Sequence, residues 1–403
     1  MIEYDEFAGQ IRSELTDDIL PFWTNRMQDG RGGFWGRMDG SGRLIKDAPR
    51  GGILTARLLW TFSSAYRVLG NPELKDAAEK AYLQIRDRFY DPEFGGTYWS
   101  IDVEGRPLET KKQFYAIAFA VYGLSEYYRA CGDKEALDLA IKLYRDIEAH
   151  SLDPVKGGYL EAAGRDWSPI ADVRLSARDR NDAKTMNTHL HILEGYTGLY
   201  RVWPDAGLRK SLTALAELFL QRIVRHDGHL VLFFNEDWES QSDAVSYGHD
   251  IETSWLLCET AEVLGDQDLL ARVQECSRRM AVAAIEGLEP CGGMVYESDP
   301  ASGERDASFQ WWVQAETVVG CLYQLRLTGG QEWYSRAVRA WDFIRGNLIC
   351  PGGEWYWSIN PDGTPNTVDD RAGFWKCPYH NGRMCMEVLQ FFSTFAPCLR
   401  STL

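Results

Sequence analysis

The sequence predicts an all-α (α/α)6 barrel: six inner and six outer helices, with short β-hairpins at one mouth. Three observations predict it. A glycine-led, aromatic-rich hairpin recurs six times, two helical stretches of different character follow each copy but the last, and one helical stretch precedes the first copy.

The hairpins read "RGGFWGRMDGSGRLI", "FGGTYWSIDVEGRPL", "KGGYLEAAGRDWSPI", "DGHLVLFFNEDWES", "CGGMVYESDPASGER" and "GGEWYWSINPDGTPN". Gly33, Gly96, Gly158, Gly228, Gly293 and Gly353 mark them at steps of 63, 62, 70, 65 and 60 residues. So even a period is an internal repeat, and it outranks the two or three domains that length alone suggests. One catalytic domain spanning 1–403 is expected.

Within a repeat, residues alternate around a D-G, E-G or S-G turn, and two helices follow. In the first repeat, "GGILTARLLWTFSSAYRVLG" is apolar on nearly every side, as a helix enclosed by others must be. "NPELKDAAEKAYLQIRDRFY" places Leu74, Ala77, Ala78, Ala81, Tyr82, Ile85 and Phe89 on one stripe and its charges elsewhere, which makes it the outer helix. The couple recurs at 113–131 and 133–150, 187–203 and 205–225, 248–265 and 267–286, and 310–328 and 331–347. The sixth inner helix, 380–397, lacks a successor, so the stretch 2–28 is expected to close the ring beside it.

Composition narrows the function. With 45% hydrophobic and 25% charged residues the chain can build a large core, so disorder is excluded. A net charge of −16 without basic clusters argues against nucleic-acid or anionic-membrane partners. No basic n-region with an apolar core begins the chain and no 18-residue apolar run occurs, so neither a signal peptide nor a membrane span is expected. Nine cysteines without a C-x-x-C pair read as free thiols, and the expected location is the cytoplasm.

The inner helices all begin at the hairpin mouth, so their first turns share one funnel. That slot holds Arg57; Tyr115; Asn187, His189 and His191; His249 and Glu252; Trp312 and Glu316; and His380, Asn381 and Arg383. Four of the seven histidines lie there. One histidine at a helix start is usually a cap or a satisfied core residue; three inner helices doing so around one funnel point to chemistry. His189 and His191, roughly 200° apart on a helix, cannot face one point. His191 shares a face with Asn187 and is assigned to the site, His189 to a supporting place behind the site or to the core. His249 and Glu252 are one turn apart, which suggests a carboxylate orienting an imidazole for acid or base work.

No H-E-x-x-H, C-x-x-C, P-loop or dinucleotide motif occurs, so neither metal nor cofactor is expected. Trp312 and Trp375, near inner-helix starts, are the candidate platforms for the apolar faces of sugar rings. A glycoside hydrolase would need two flanking carboxylates, and Glu252 and Glu316 are the funnel pair available.

"APRGGILTARLLWTFSSAYR", "MNTHLHILEGYTGLYRVWP", "SYGHDIETSWLL", "WWVQAETVVG" and "FWKCPYHNGRMCMEVLQ" together resemble the N-acylglucosamine 2-epimerase superfamily, most nearly its cellobiose 2-epimerases, over about residues 10–395. The resemblance implies the same barrel and cofactor-free epimerisation at C2 of the reducing-end sugar of β-1,4-linked disaccharides. It implies His249 and His380 as the acid/base pair. His191, Asn187, Arg57, Tyr115, Glu252 and Glu316 would contact the sugar or support the histidines, and Trp312 and Trp375 would hold the rings. A free-hexose or N-acylglucosamine 2-epimerase, or an aldose–ketose isomerase, is the sibling alternative.

Overall fold

A computed structural model describes residues 2–176 and 179–400, with side chains to residue 395. Six helices form the inner ring: α2 (Gly52–Leu69), α4 (Phe114–Cys131), α6 (Met186–Val202), α8 (Tyr247–Leu264), α10 (Trp311–Thr328) and α12 (Tyr379–Arg400). Each packs on the next, and α12 returns to α2. Outside them lie α1 (Tyr4–Ser13), α3 (Pro72–Gln84), α5 (Lys134–His150), α7 (Ala206–Leu218), α9 (Gln267–Ala284) and α11 (Gln331–Phe343). As expected, α1 packs against α12 and completes the sixth pair.

Burial separates the two rings. Every residue from Gly52 to Ala65 of α2 is buried, whereas α3 buries only Leu74, Ala77, Ala78, Ala81 and Tyr82, the stripe its sequence presents. Between them the chain turns in the fewest residues the chemistry permits. Gly70 takes the left-handed conformation that ends α2 (φ 71°), and Asn71 then caps α3 by accepting the Glu73 N–H. Gly132–Asp133 and Gly265–Asp266 repeat the device.

The 3.6-residue stripe does not reveal how several outer helices end. Ile85–Phe89, Phe219–Ile223 and Ile344–Leu348 are π-helical turns, each burying its first and last residue. The wider turn keeps both apolar side chains on the core while the chain swings toward the mouth.

There a single bridge closes each repeat's glycine turn, from Gln28–Phe34 to Ile349–Trp355, and the hairpin arms that follow pair only briefly, the longest ladder being Glu297–Asp299 with Glu304–Asp306. They are knitted into a belt. The strand entering each inner helix pairs antiparallel with the following repeat's hairpin, as in Lys112–Gln113 with Ala162–Ala163 and Val245–Ser246 with Glu297–Asp299. Met38–Ala372 joins the first hairpin to the segment before α12. Buried ion pairs pin the belt down: Arg50–Asp29 (2.6 Å), Lys112–Asp91 (2.9 Å), Lys184–Asp153 (2.8 Å) and Lys376–Glu354 (2.6 Å). A rigid rim therefore fixes where each inner helix begins, and with it the side chains of the first two turns.

Candidate active site

The funnel floor is built from one repeat position. The sixth residue of five inner helices is Arg57, Phe119, His191, Glu252 and Glu316, and the fifth of α12 is Arg383. All are buried. Equal registry at the rim brings them to one depth, where they form a largely polar ring inside an apolar barrel.

Arg383 is the hub. Its Nη2 donates to Glu252 Oε1 (2.7 Å) and Glu316 Oε1 (2.6 Å), and its Nη1 donates to Glu194 and to the Tyr379 hydroxyl. One guanidinium among three buried carboxylates leaves excess negative charge, which a low-dielectric interior resists. Burial and repulsion from Glu316 accordingly push the Glu252 carboxyl above its ordinary value of 4.5. Glu316, although buried, is held below 4.5 by Arg383 and His380.

Each histidine has a different partner. His380 Nδ1 lies 2.7 Å from Glu316 Oε1, and His191 Nδ1 lies 2.9 Å from Glu194 Oε2. A carboxylate only accepts, so each ring holds its proton on Nδ1 and leaves Nε2 bare. His249 Nδ1 instead meets the Ser246 hydroxyl at 2.8 Å. The expected pairing of His249 with Glu252 is thus not what forms. On a helix the imidazole tilts back toward the N-terminus and reaches Ser246, while Arg383 draws Glu252 away. Burial favours the neutral ring in all three, pushing His249 and His380 down to about 3 and His191 well below 6.5.

Trp312 touches two of them, its ring 4.7 Å from that of His249 and 5.6 Å from that of His380. Across the funnel, Arg57 donates to the Tyr115 hydroxyl (2.9 Å) and to the Trp375 carbonyl (3.3 Å), and lies over the Phe119 ring at 4.3 Å. It makes no ion pair with a carboxylate among the described residues. Tyr115 meets His191 edge-on at 4.9 Å and Trp375 at 6.0 Å. Asn187 and His249 share the wall of a cavity of about 100 Å³ with Phe233, Arg180, Tyr296 and Glu297. Asn187 Oδ1 and Arg57 Nε are buried without a hydrogen-bond partner among the described residues, and a polyol would supply one.

The structure thus brings together every residue predicted for the site. It sends two funnel candidates elsewhere. His189 accepts the Tyr159 N–H at Nε2 and pairs with the Thr185 carbonyl at Nδ1, a core role, one of the two expected. Asn381 turns to Glu354, joining the Lys376 ion pair. Sequence reasoning missed Ser246, Glu194 and Tyr379 and left Arg383 without a role. Glu194 and Arg383 follow His191 and His380 by three residues, the same spacing that separates Glu252 from His249.

A metal has no room at the one cluster of suitable ligands found among the described residues. Donor atoms of Glu252, Glu316 and His380 lie within 4.8 Å of one another, but the Arg383 guanidinium already holds the cation position. The same shared nitrogen removes the hydrolase alternative's carboxylate pair, since Glu252 and Glu316 face one arginine and not two sides of a bond.

The N-acylglucosamine 2-epimerase (GlcNAc 2-epimerase) family model matches residues 33–381. The chain belongs to that family and is a sugar epimerase. It is 53% identical to the cellobiose 2-epimerase of Bacteroides fragilis over 389 residues, 96% of this chain and 99% of that protein. The cellobiose 2-epimerase of Ruminococcus albus is 41% identical, covering 94% and 98%. The solved cellobiose 2-epimerase of Bacillus thermoamylovorans superposes with a TM-score of 0.92 at 39% identity, covering 96% of this chain and 99% of that one.

Proposed function

We propose that the chain, working as one domain in the cytoplasm, inverts C2 of the reducing-end sugar of β-1,4-linked disaccharides. Cellobiose would become glucosyl-mannose, and lactose or mannobiose would serve as well. The observation that carries this reading is the pair of buried imidazoles, His249 and His380, from two inner helices that both meet the Trp312 ring. The high identity to the Bacteroides fragilis enzyme supports the disaccharide.

The C2 proton is acidic only beside a carbonyl, so the sugar must first open. That step moves a proton from O1 to O5, and His191, near Arg57 and Tyr115, is placed in this work. One histidine then takes the C2 proton, leaving a cis-enediolate, and the other, entering the step as an imidazolium, protonates C2 on the opposite face and is left neutral. His380, with Nε2 bare and Glu316 behind it to stabilise the imidazolium, suits the base. The new negative charge on the enediolate oxygens needs a fixed cation that the neutral sugar does not. Arg57, which lacks a carboxylate partner, fits that need; Arg383, already shared by three, does not. Trp312 would hold the reacting sugar and Trp375 the outer one.

NMR of cellobiose in D2O with EDTA-treated protein tests the reading. Glucosyl-mannose carrying deuterium at C2 is the expected product. Exchange with free mannose or glucose but none with cellobiose would move the substrate to monosaccharides, and released glucose would overturn the proposal.

A further inference from the structure

Ser246 is the N-cap of α8, and a serine there ordinarily accepts the N–H of the third helical residue. Its hydroxyl makes no such bond. It lies instead against the side chain of that same third residue, His249, with Oγ 2.8 Å from Nδ1. Thr185, at the equivalent place in α6, does cap, accepting the Thr188 N–H. A cap bond of this kind is worth about 1 kcal/mol, and α8 forgoes it although Ser246 is fully buried.

The partner's chemistry matters. Behind His191 and His380 stand carboxylates, which accept only and favour the charged ring. A hydroxyl accepts and donates, and carries no charge. We infer that Ser246 is the positioning residue of His249: its hydroxyl accepts from Nδ1–H, holds the ring with Nε2 toward the funnel and, carrying no charge, does so without making the ring more basic. It accepts from Nδ1–H both when Nε2 is bare and when Nε2 carries a proton and the ring is an imidazolium. The serine proton stays on Oγ throughout. His249 thereby differs from His380 in having no carboxylate at Nδ1. This rests on the reading of His249 and His380 as the acid/base pair.

The test is Ser246→Ala, with Ser246→Thr as rescue. On cellobiose, Ser246→Ala is expected to lower kcat roughly ten- to a hundred-fold, the range for losing a partner that orients a working imidazole, with KM within about two-fold; Ser246→Thr restores most of it. Parental kcat in Ser246→Ala, or an equal loss in both variants, overturns the inference. A second readout needs no turnover: the imidazole ¹⁵N signals of His249, assigned by their absence in His249→Asn, shift in Ser246→Ala, and unchanged signals overturn the inference. If Ser246→Ala does not fold, Ser246→Cys, a weaker partner of similar shape, is read the same way. A parent protein that fails to exchange C2 of cellobiose sinks the functional proposal instead, while the ¹⁵N comparison still decides the role of Ser246.

Discussion

His380 Nδ1 donates to Glu316 Oε1 across 2.7 Å, linking residues 64 apart in sequence on neighbouring inner helices. The carboxylate fixes the tautomer and stabilises the imidazolium that forms when Nε2 takes a proton. Glu316→Gln keeps an acceptor but removes the charge. It is expected to lower kcat about a hundred-fold with little change in KM, and steady-state kinetics on cellobiose checks this.

Proton transfer is assigned to two imidazoles, so His249→Asn and His380→Asn should each nearly abolish turnover and still bind the sugar. Calorimetry gives the binding, and C2 deuterium gives the turnover. Substantial epimerisation by either variant would refute the two-histidine assignment.

Glu252 has its carboxyl raised above 4.5 by burial and by Glu316. A group with a raised folded pKa contributes stability that is present below the unfolded value and lost as pH climbs through the folded one. A glutamine amide in its place cannot ionise. Glu252→Gln should therefore gain in Tm relative to the parent as pH rises from about 5 to about 8, a trend that paired thermal melts at several pH values would read. A constant difference would show that Glu252 stays charged.

Trp375 touches Tyr115 and Trp99 at the funnel's rim, with ring centroids 6.0 Å away in both cases. Trp375→Ala is expected to raise KM for cellobiose about ten-fold more than KM for mannose, because only the disaccharide has an outer ring to stack. Equal effects on the two sugars would remove that role.

Lys112 is fully buried against Asp91 at 2.9 Å. Replacing it by Met leaves a buried carboxylate supported only by Arg165 and the backbone. The expected loss is about 3 kcal/mol, measured by denaturant unfolding. A loss below about 1 kcal/mol would mean that the rim tolerates the gap.

The ring was legible because its determinants are local: the period, the D-G, E-G and S-G turns and the contrast between α2 and α3 all lie within one repeat. Which side chains reach the funnel floor was legible for the same reason, since each repeat places its residue at one depth. Partners were not. Arg383 and Glu194 are 189 residues apart, and no periodicity says that α12 reaches across the floor to α6. Local spacing also misled at His249, where the i, i+3 rule proposes Glu252 and the tilt of the helix delivers Ser246.

The seam of the ring has a consequence for the nascent chain. The first hairpin meets the segment before α12 at Met38–Ala372, and α1 waits for α12. His380 and Arg383 sit on that same closing helix. During synthesis, five repeats can stack while the floor still lacks its hub and one of its imidazoles. Closing the ring and completing its polar floor are therefore one event.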